Sequence, residues 1–424
     1  MPEGATSIKR SAELFGALKG PLLGLQTGGG LADLRGVLEA LAPVRERVGR
    51  ELLLNSPQAW QMLREMYETA VPRSSFLDFF WSWRSLVGGL YSVLLADLPD
   101  ASVYHAVCTG YAGLLLARAH LETGRPTLLT EHGIYTNERR IEMAMATWLH
   151  DVSDAGLRID TGTRALKDVW VDTFVAYSRA CYEAATEIIT LYEGNQQFQI
   201  EDGADPARMR IIPNGVDYAR YSALRREKRE RPTIALIGRV VPIKDVKTYI
   251  RACEIVRKTV PDLEAWVLGP TDEDEVYYQE CMEMVRQLNL ERTVIFPGRV
   301  KLDEYLGRID VTVLTSISEA QPLVVLEAGS LGIPSVTTDV GSCRDLIFGP
   351  SAEAPALGPA GDVTPLCNPA ATAKALVRLL TDAEWYDRCG RAIAERVRVS
   401  YNKVGVDRTY RAVYDHHLDA VGAV

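Results

Sequence analysis

From Thr233 onward, short β-rich runs alternate with amphipathic stretches: Thr233 to Leu236, Ala265 to Leu268, Val294 to Phe296, Val311 to Thr315 and Ser335 to Thr338. That rhythm predicts a βαβ series. Between the first two runs Val246, Ile250, Cys253, Val256 and Val260 fall on one helical face, and Tyr277 to Leu290 repeats the spacing. A parallel sheet covered on both faces follows. The first half opens with helical patterning and then returns to the same rhythm, with strands predicted at Val103 to Val107, Thr127 to Thr130, Glu187 to Leu191 and Arg210 to Ile212. The pattern therefore predicts two α/β domains, over residues 1–217 and 233–400. Residues 218–232, with the charge run Arg225, Arg226, Glu227, Lys228, Arg229, Glu230 and Arg231, lack apolar periodicity and read as a solvated linker. Residues 401–424 are expected to form a last helix, with Val406, Tyr410, Val413 and Tyr414 on one side, packing back toward the N-terminal domain.

Composition narrows the class. A chain of 424 residues is longer than one hydrophobic core grows, and 47% hydrophobic against 24% charged residues excludes a disordered chain. The formal net charge of −9 supplies no general attraction for nucleic acid. Seven cysteines without a Cys-x-x-Cys pair fit a reduced, cytoplasmic compartment. The start shows no signal-peptide pattern. The most apolar window, Ser85 to Ala96, is shorter than the ~20 residues that span a bilayer and reads as a buried helix. None of the six histidines (105, 120, 132, 150, 416, 417) has metal-ligand spacing, so neither metal nor cofactor is expected.

In an open α/β sheet, ligands sit beyond the C-terminal ends of the strands. Three loops of the second domain suit one ligand. After Thr233 to Ile237 come Gly238, Arg239 and Lys244, where glycine permits close approach and two cations could neutralise a diphosphate. After Val311 to Thr315 comes Ser316 to Ala328, in which Pro322 suits the first helical position and the N–H groups of Leu323 and Val324 would point at an anion. Glu319 and Glu327, seven residues apart, carry acceptor oxygens suited to sugar or ribose hydroxyls. Phe296 to Val300 could hold a flat base against backbone. Taken singly, the cations read as solvated, Glu319 as an exposed loop acid, Glu327 as a surface partner for arginine, and the third loop as a turn. In the first domain His132, between Glu131 and Gly133, reads as a loop residue. Arg139 and Arg140 either add charge near phosphates or pair with Glu138 and Glu142.

Together, the Gly-Arg-x4-Lys loop and the Glu-x7-Glu element resemble glycosyltransferase family 4. The resemblance is closest to the PelF-type transferases of Pel exopolysaccharide biosynthesis. It is carried by Phe76 to Arg84, Tyr104 to Gly113, Thr130 to Arg140 (containing His-Gly-Ile-Tyr), Ile212 to Asp217 and Ser316 to Pro322 (containing Glu-Ala-Gln-Pro), and spans residues 50 to 415. It implies an α/β GT-B fold with two Rossmann-like domains. It implies a retaining, metal-independent hexosyltransferase that moves a hexose or N-acetylhexosamine from a UDP-sugar to a growing exopolysaccharide by front-face displacement. The implied site places Arg239, Lys244, Gln321, Leu323 and Val324 at the donor diphosphate, Glu327 at the ribose and Arg299 with Val300 at the base. Glu319 and, from the other domain, His132 would act at the sugar, with Glu131, Arg139, Arg140, Asn214 and Gly238 as further site positions. Implied partners are the nucleotide-sugar, a polysaccharide acceptor and Pel-type proteins at the cytoplasmic face of the inner membrane.

One segment departs from that family. A GT-B transferase opens with a strand and a Gly-Gly loop, whereas Gln26-Thr-Gly-Gly-Gly30 falls between predicted helices. The front of the N-terminal domain is expected to be missing, and the alternative function is a catalytically silent nucleotide-binding subunit of a polysaccharide synthesis complex.

Overall fold

A computed structural model describes residues 1–145, 164–227 and 230–422. His150, Lys228 and Arg229 lie outside the described residues. The chain divides into two compact units, one formed by Met1–Ile211 with Val413–Val424, the other by Ile212–Ala412.

The first unit begins with five helices, α1 (Ser11–Leu25), α2 (Leu31–Leu41), α3 (Arg50–Asn55), α4 (Pro57–Ala70) and α5 (Phe76–Leu95). Local chemistry starts two of them: the Ser56 hydroxyl accepts from the Ala59 N–H ahead of Pro57, and Ser75 caps α5 the same way through Asp78 N–H. The apolar window predicted to be buried is the C-terminal half of α5, which buries Leu86, Val87, Leu90, Tyr91 and Leu94 in the helical core. Each such side chain is worth about 1.5–3 kcal/mol. Among the described residues no helix is long and apolar enough to cross a membrane.

The sheet layer of this unit alternates β1 (Tyr104–Ala106), α6 (Tyr111–Thr123), β2 (Thr127–Glu131), α7 (Tyr135–Met145), α8 (Leu166–Ala184), β3 (Glu187–Thr190), α9 (Glu193–Glu201) and β4 (Met209–Ile211). The four strands pair in parallel in the order β1-β2-β3-β4. All four agree with the sequence pattern to within two residues at each end.

The second unit runs α10 (Tyr218–Ser222), β5 (Thr233–Ile237), α11 (Val246–Arg257), β6 (Glu264–Leu268), α12 (Glu275–Gln287), β7 (Val294–Gly298) and α13 (Asp303–Leu306). It continues with β8 (Val311–Leu314), α14 (Leu323–Gly329), β9 (Ser335–Thr338), α15 (Cys343–Phe348), β10 (Gly361–Thr364), α16 (Pro369–Thr381), α17 (Ala383–Ser400) and α18 (Lys403–Gly422), whose last turns belong to the first unit. Its six strands are parallel, in the order β10-β9-β8-β5-β6-β7. This is the doubly wound arrangement in which the chain leaves the first strand in one direction and returns to its other side. The edge strand β10 escapes the hydrophobic pattern because only Gly-Asp-Val-Thr forms it.

The charged segment at 218–232 is not a free tether. Tyr221 of α10 is buried, Arg226 donates to the Tyr386 hydroxyl at 2.9 Å, and Arg231 donates to the carbonyls of Asp262 and Leu263. Residues 212–217 likewise belong to the second unit, where Val216 N–H donates to Tyr401 O and Lys403 N–H to Val216 O. The charge run masks a few apolar anchors that have no helical or strand period, which is why the sequence shows only its solvated face.

Candidate active site

The switch point of the second sheet lies between β5 and β8, the neighbours from which the chain departs in opposite directions. The two loops leaving their C-terminal ends are stitched together. The Thr315 hydroxyl reaches the carbonyls of Lys244 and Asp245, both at 3.0 Å, and Ile317 N–H donates to Ile243 O at 2.8 Å. This brings Lys244, in the helical turn Pro242–Lys244, against Glu319: Nζ lies 2.5 Å from Oε1, with both side chains largely buried. The same Glu319 oxygen accepts from the Ser316 hydroxyl at 2.6 Å.

The third wall is the loop after β9. Ser342 N–H donates to Ala320 O at 2.8 Å, and Gly341, at φ 52°, presses so close that a Cβ would meet the carbonyls of Glu319 and Ala320. On the other side, a Cβ on Gly269 would run into the Gly238 carbonyl. Backbone crowding inside the protein demands glycine at Gly269, while the Lys244 stem lies in ordinary contact beside Gly238.

Arg239 is exposed and pairs with Glu273 at 2.7 Å, in the loop after β6. In the sequence that acid sits in an acidic run, Asp272 to Glu275, which has the look of ordinary surface. Pro322 occupies the position just before α14 rather than its first turn, and Leu323 is the first helical residue. The N–H groups of Leu323 and Val324 have no hydrogen-bond partner among the described residues. Gln321 is buried and its Oε1 accepts from Asn214 N–H at 2.7 Å, so these two predicted positions do meet, with Gln321 Nε2 left buried and unpaired. Glu327, one turn into α14, accepts from the Tyr221 hydroxyl at 3.0 Å. Burial raises the Glu327 carboxyl above its ordinary range, and burial together with the neighbouring Glu327 pushes the Tyr221 hydroxyl up to about 12. Arg299 and Val300 follow β7; Arg299 is exposed and has no partner among the described residues, while Val300 packs on a small apolar cluster.

In the first unit, Glu131 ends β2 fully buried, and its oxygens accept from four groups: the Thr109 hydroxyl (3.1 Å), Tyr135 N–H (3.2 Å), the Tyr182 hydroxyl (2.5 Å) and Gln199 Nε2 (2.9 Å). Burial pushes its pKa up and those bonds oppose the shift. With both oxygens committed, Glu131 ties the loops after β1 and β2 to α8 and α9 and offers nothing to a ligand. His132 follows it at the exposed rim, where partial desolvation holds the imidazole below its usual range. The neighbouring His105 joins the Thr130 and Tyr414 hydroxyls at 2.8 and 2.5 Å. Arg139 pairs with Glu142 at 2.5 Å over the Tyr135 ring, whereas Arg140 meets Asn137 and Asp202 instead of Glu138.

The glycine segment Gln26–Gly30 lies between α1 and α2. Leu31 N–H donates to Glu183 at 2.7 Å and Gly30 N–H to Asp33 at 3.1 Å, so the amides at this helix start are satisfied by the protein's own carboxylates.

Comparison with known proteins agrees with this division. Residues 220–396 match the family described as "Glycosyl transferases group 1", and residues 6–207 match a "Domain of unknown function". The chain is 28% identical over 234 residues to a D-inositol 3-phosphate glycosyltransferase of Kineococcus radiotolerans, covering 51% of this chain and 54% of that protein. It is 24% identical to the UDP-Gal:alpha-D-GlcNAc-diphosphoundecaprenol alpha-1,3-galactosyltransferase of Escherichia coli, covering 62% and 64%. These matches thus span between half and two thirds of the relatives' own length. Among solved structures, Anabaena HepE in complex with UDP superposes with a TM-score of 0.58 at 16% identity, over 74% of this chain and 79% of that one. The fold is α/β of the GT-B glycosyltransferase class. The C-terminal half of the chain carries the match to the glycosyl transferases group 1 family.

Proposed function

We propose that the chain is a glycosyltransferase that takes a nucleotide-sugar at the switch point of its second sheet. The observation that carries this reading is the Lys244–Glu319 pair, a cation and an acid held side by side by the stitched loops after β5 and β8. A diphosphate entering there exchanges the carboxylate partners of Lys244 and Arg239 for phosphate oxygens, which bind each cation as charge-assisted acceptors. Glu327, deeper on α14, accepts from the ribose hydroxyls, and Arg299 with Val300 flanks the base. Gln321 shapes the site through Asn214, and the N–H groups of Leu323 and Val324 add donors to the phosphates.

The finer assignment rests on the motif resemblance: a UDP-sugar donor, a hexose or N-acetylhexosamine passed to a growing Pel-type exopolysaccharide with retention, and no metal or cofactor. Glu319, released by Lys244 when the phosphates bind, and His132 act in turnover. In a front-face displacement the bond from anomeric carbon to phosphate oxygen breaks while the acceptor hydroxyl bonds the same face, and its proton passes to the departing phosphate. Cations at the phosphates stabilise that leaving group.

A second reading, a subunit that binds nucleotide without turnover, is favoured by the glycine segment at 26–30, where Gly30 N–H is already engaged by Asp33 and the adjoining Leu31 N–H by Glu183. Titrating UDP, GDP and ADP while following the melting temperature tests the common part. Binding to the native state raises the midpoint by mass action, and the reading expects UDP to raise it most; a shift with GDP or ADP alone overturns the donor. Release of free sugar from UDP-glucose or UDP-N-acetylglucosamine then separates the enzyme from the silent subunit.

A further inference from the structure

Ser316 follows β8 where the chain leaves the sheet, and its backbone is held from two sides. Its carbonyl accepts from the buried Thr338 hydroxyl at the end of β9, at 2.6 Å. On either side of it, the Thr315 hydroxyl and Ile317 N–H are bound to the loop after β5. The Ser316 side chain is buried too, with a single proton to give, and gives it to Glu319 Oε1 at 2.6 Å. No helix begins between Ser316 and Leu323, so this Ser-x-x-Glu spacing is not a capping box; the hydroxyl serves the carboxylate itself.

Lys244 Nζ meets the same oxygen, at 2.5 Å, whereas Oε2 accepts from no described residue. Two donors on Oε1 fix the carboxylate and leave Oε2 as its open acceptor. A ligand separates the two donors. Phosphate draws the Lys244 charge to itself, whereas a neutral hydroxyl on a backbone fastened to β9 is drawn far less. Ser316 is then the last donor on a carboxylate whose side chain is only 14% exposed, and a carboxylate stripped of donors at such depth is costly. In the free protein the same hydroxyl is one of two donors. Its contribution is therefore larger with phosphate bound than without.

We infer that Ser316 is the positioning residue that holds Glu319 in place, with Oε2 presented, once phosphate has taken Lys244. This rests on the nucleotide reading and adds to it a residue coupled to binding through Glu319. Calorimetric titration of the full chain with UDP tests it, in the parent, Ser316→Ala, Glu319→Ala and the double variant. Ser316→Ala keeps the backbone bonds of the loop and is expected to weaken UDP about tenfold, the scale of one charge-assisted hydrogen bond. On the Glu319→Ala background the hydroxyl has no carboxylate to hold, and the same substitution is expected to change affinity by less than about twofold. A merely structural serine costs the same on both backgrounds. Parental UDP affinity in Ser316→Ala, or equal losses on the two backgrounds, overturns the role of Ser316 and leaves the nucleotide site standing. Failure of the parent itself to bind UDP sinks the donor reading, and the role of Ser316 with it.

Discussion

Lys244 and Glu319 stand 75 residues apart in the chain and 2.5 Å apart in space, their loops bound to each other by the Thr315 hydroxyl. In the nucleotide site we propose, each is the other's placeholder: Glu319 holds the cation ready, and phosphate taking the cation would free the acid.

That exchange predicts opposite consequences for the two partners. Lys244→Ala removes a charge-assisted contact and weakens UDP binding by about 1.5–3 kcal/mol. Glu319→Ala leaves UDP affinity equal or slightly tighter, while sugar transfer or donor hydrolysis falls by about 10²-fold, the scale of one well-placed polar group. His132→Ala is expected to behave like Glu319→Ala. Calorimetry and a sugar-release assay on the same preparations separate the two effects, and turnover at the parental rate in both acid and histidine variants makes those residues structural.

Arg239 offers a milder version of the same logic. Its partnership with Glu273 is exposed on both sides and worth at most about 1 kcal/mol. Glu273→Gln should therefore tighten UDP no more than about fivefold, and only at low salt, where exposed charges are least screened. Arg239→Ala should weaken it at every ionic strength. An unchanged affinity for Arg239→Ala, measured at both salts, places the phosphates elsewhere.

The Glu327 carboxyl titrates above its ordinary range because burial disfavours its charge, with the Tyr221 bond opposing. A raised carboxyl becomes protonated at a higher pH than usual, and a protonated acid loses acceptor capacity. UDP affinity should consequently begin to fall as pH drops toward the acid range, sooner in Tyr221→Phe, which lacks the stabilising donor. Glu327→Gln serves as the reference that carries only the phosphate's own titration. Parallel pH profiles for parent and Glu327→Gln would remove this residue from the nucleotide site.

Away from the site, Arg396 is fully buried and donates to both oxygens of Glu353, at 2.6 and 3.0 Å, and to the carbonyls of Leu346, Ile347 and Gly358. Arg396→Met strands a buried carboxylate, at a cost of about 3–5 kcal/mol, read as a lower urea midpoint. Burial opposes the Glu353 charge, yet the Arg396 and Leu357 bonds prevail and hold its pKa below the ordinary value. A depressed carboxyl contributes stability that is full above the unfolded-state pKa and is lost as pH falls through the lower folded value. The gap between parent and Arg396→Met should accordingly shrink below about pH 4; a constant gap from pH 7 to 3 would show that the pair carries no net stability.

What the sequence determined by itself was local. Nine of the ten strands are visible as short β-rich runs, because a strand buried on both faces is apolar or β-branched throughout, and α11 and α12 between them as 3.6-residue periods, because a helix buries one face. The Gly-Arg-x4-Lys and Glu-x7-Glu elements are visible for the same reason, since each is a short run on one loop and its helix. Partnership was not visible. That Arg239 meets Glu273, that Glu327 meets Tyr221 out of a charged segment, that Gln321 is turned to Asn214, and that Glu131 is sealed by four donors all follow from strand order and loop contact. Such pairings join residues tens of positions apart, and no period in the chain encodes them. Only when β5 and β8 lie side by side does an acid in one loop acquire a base in the other.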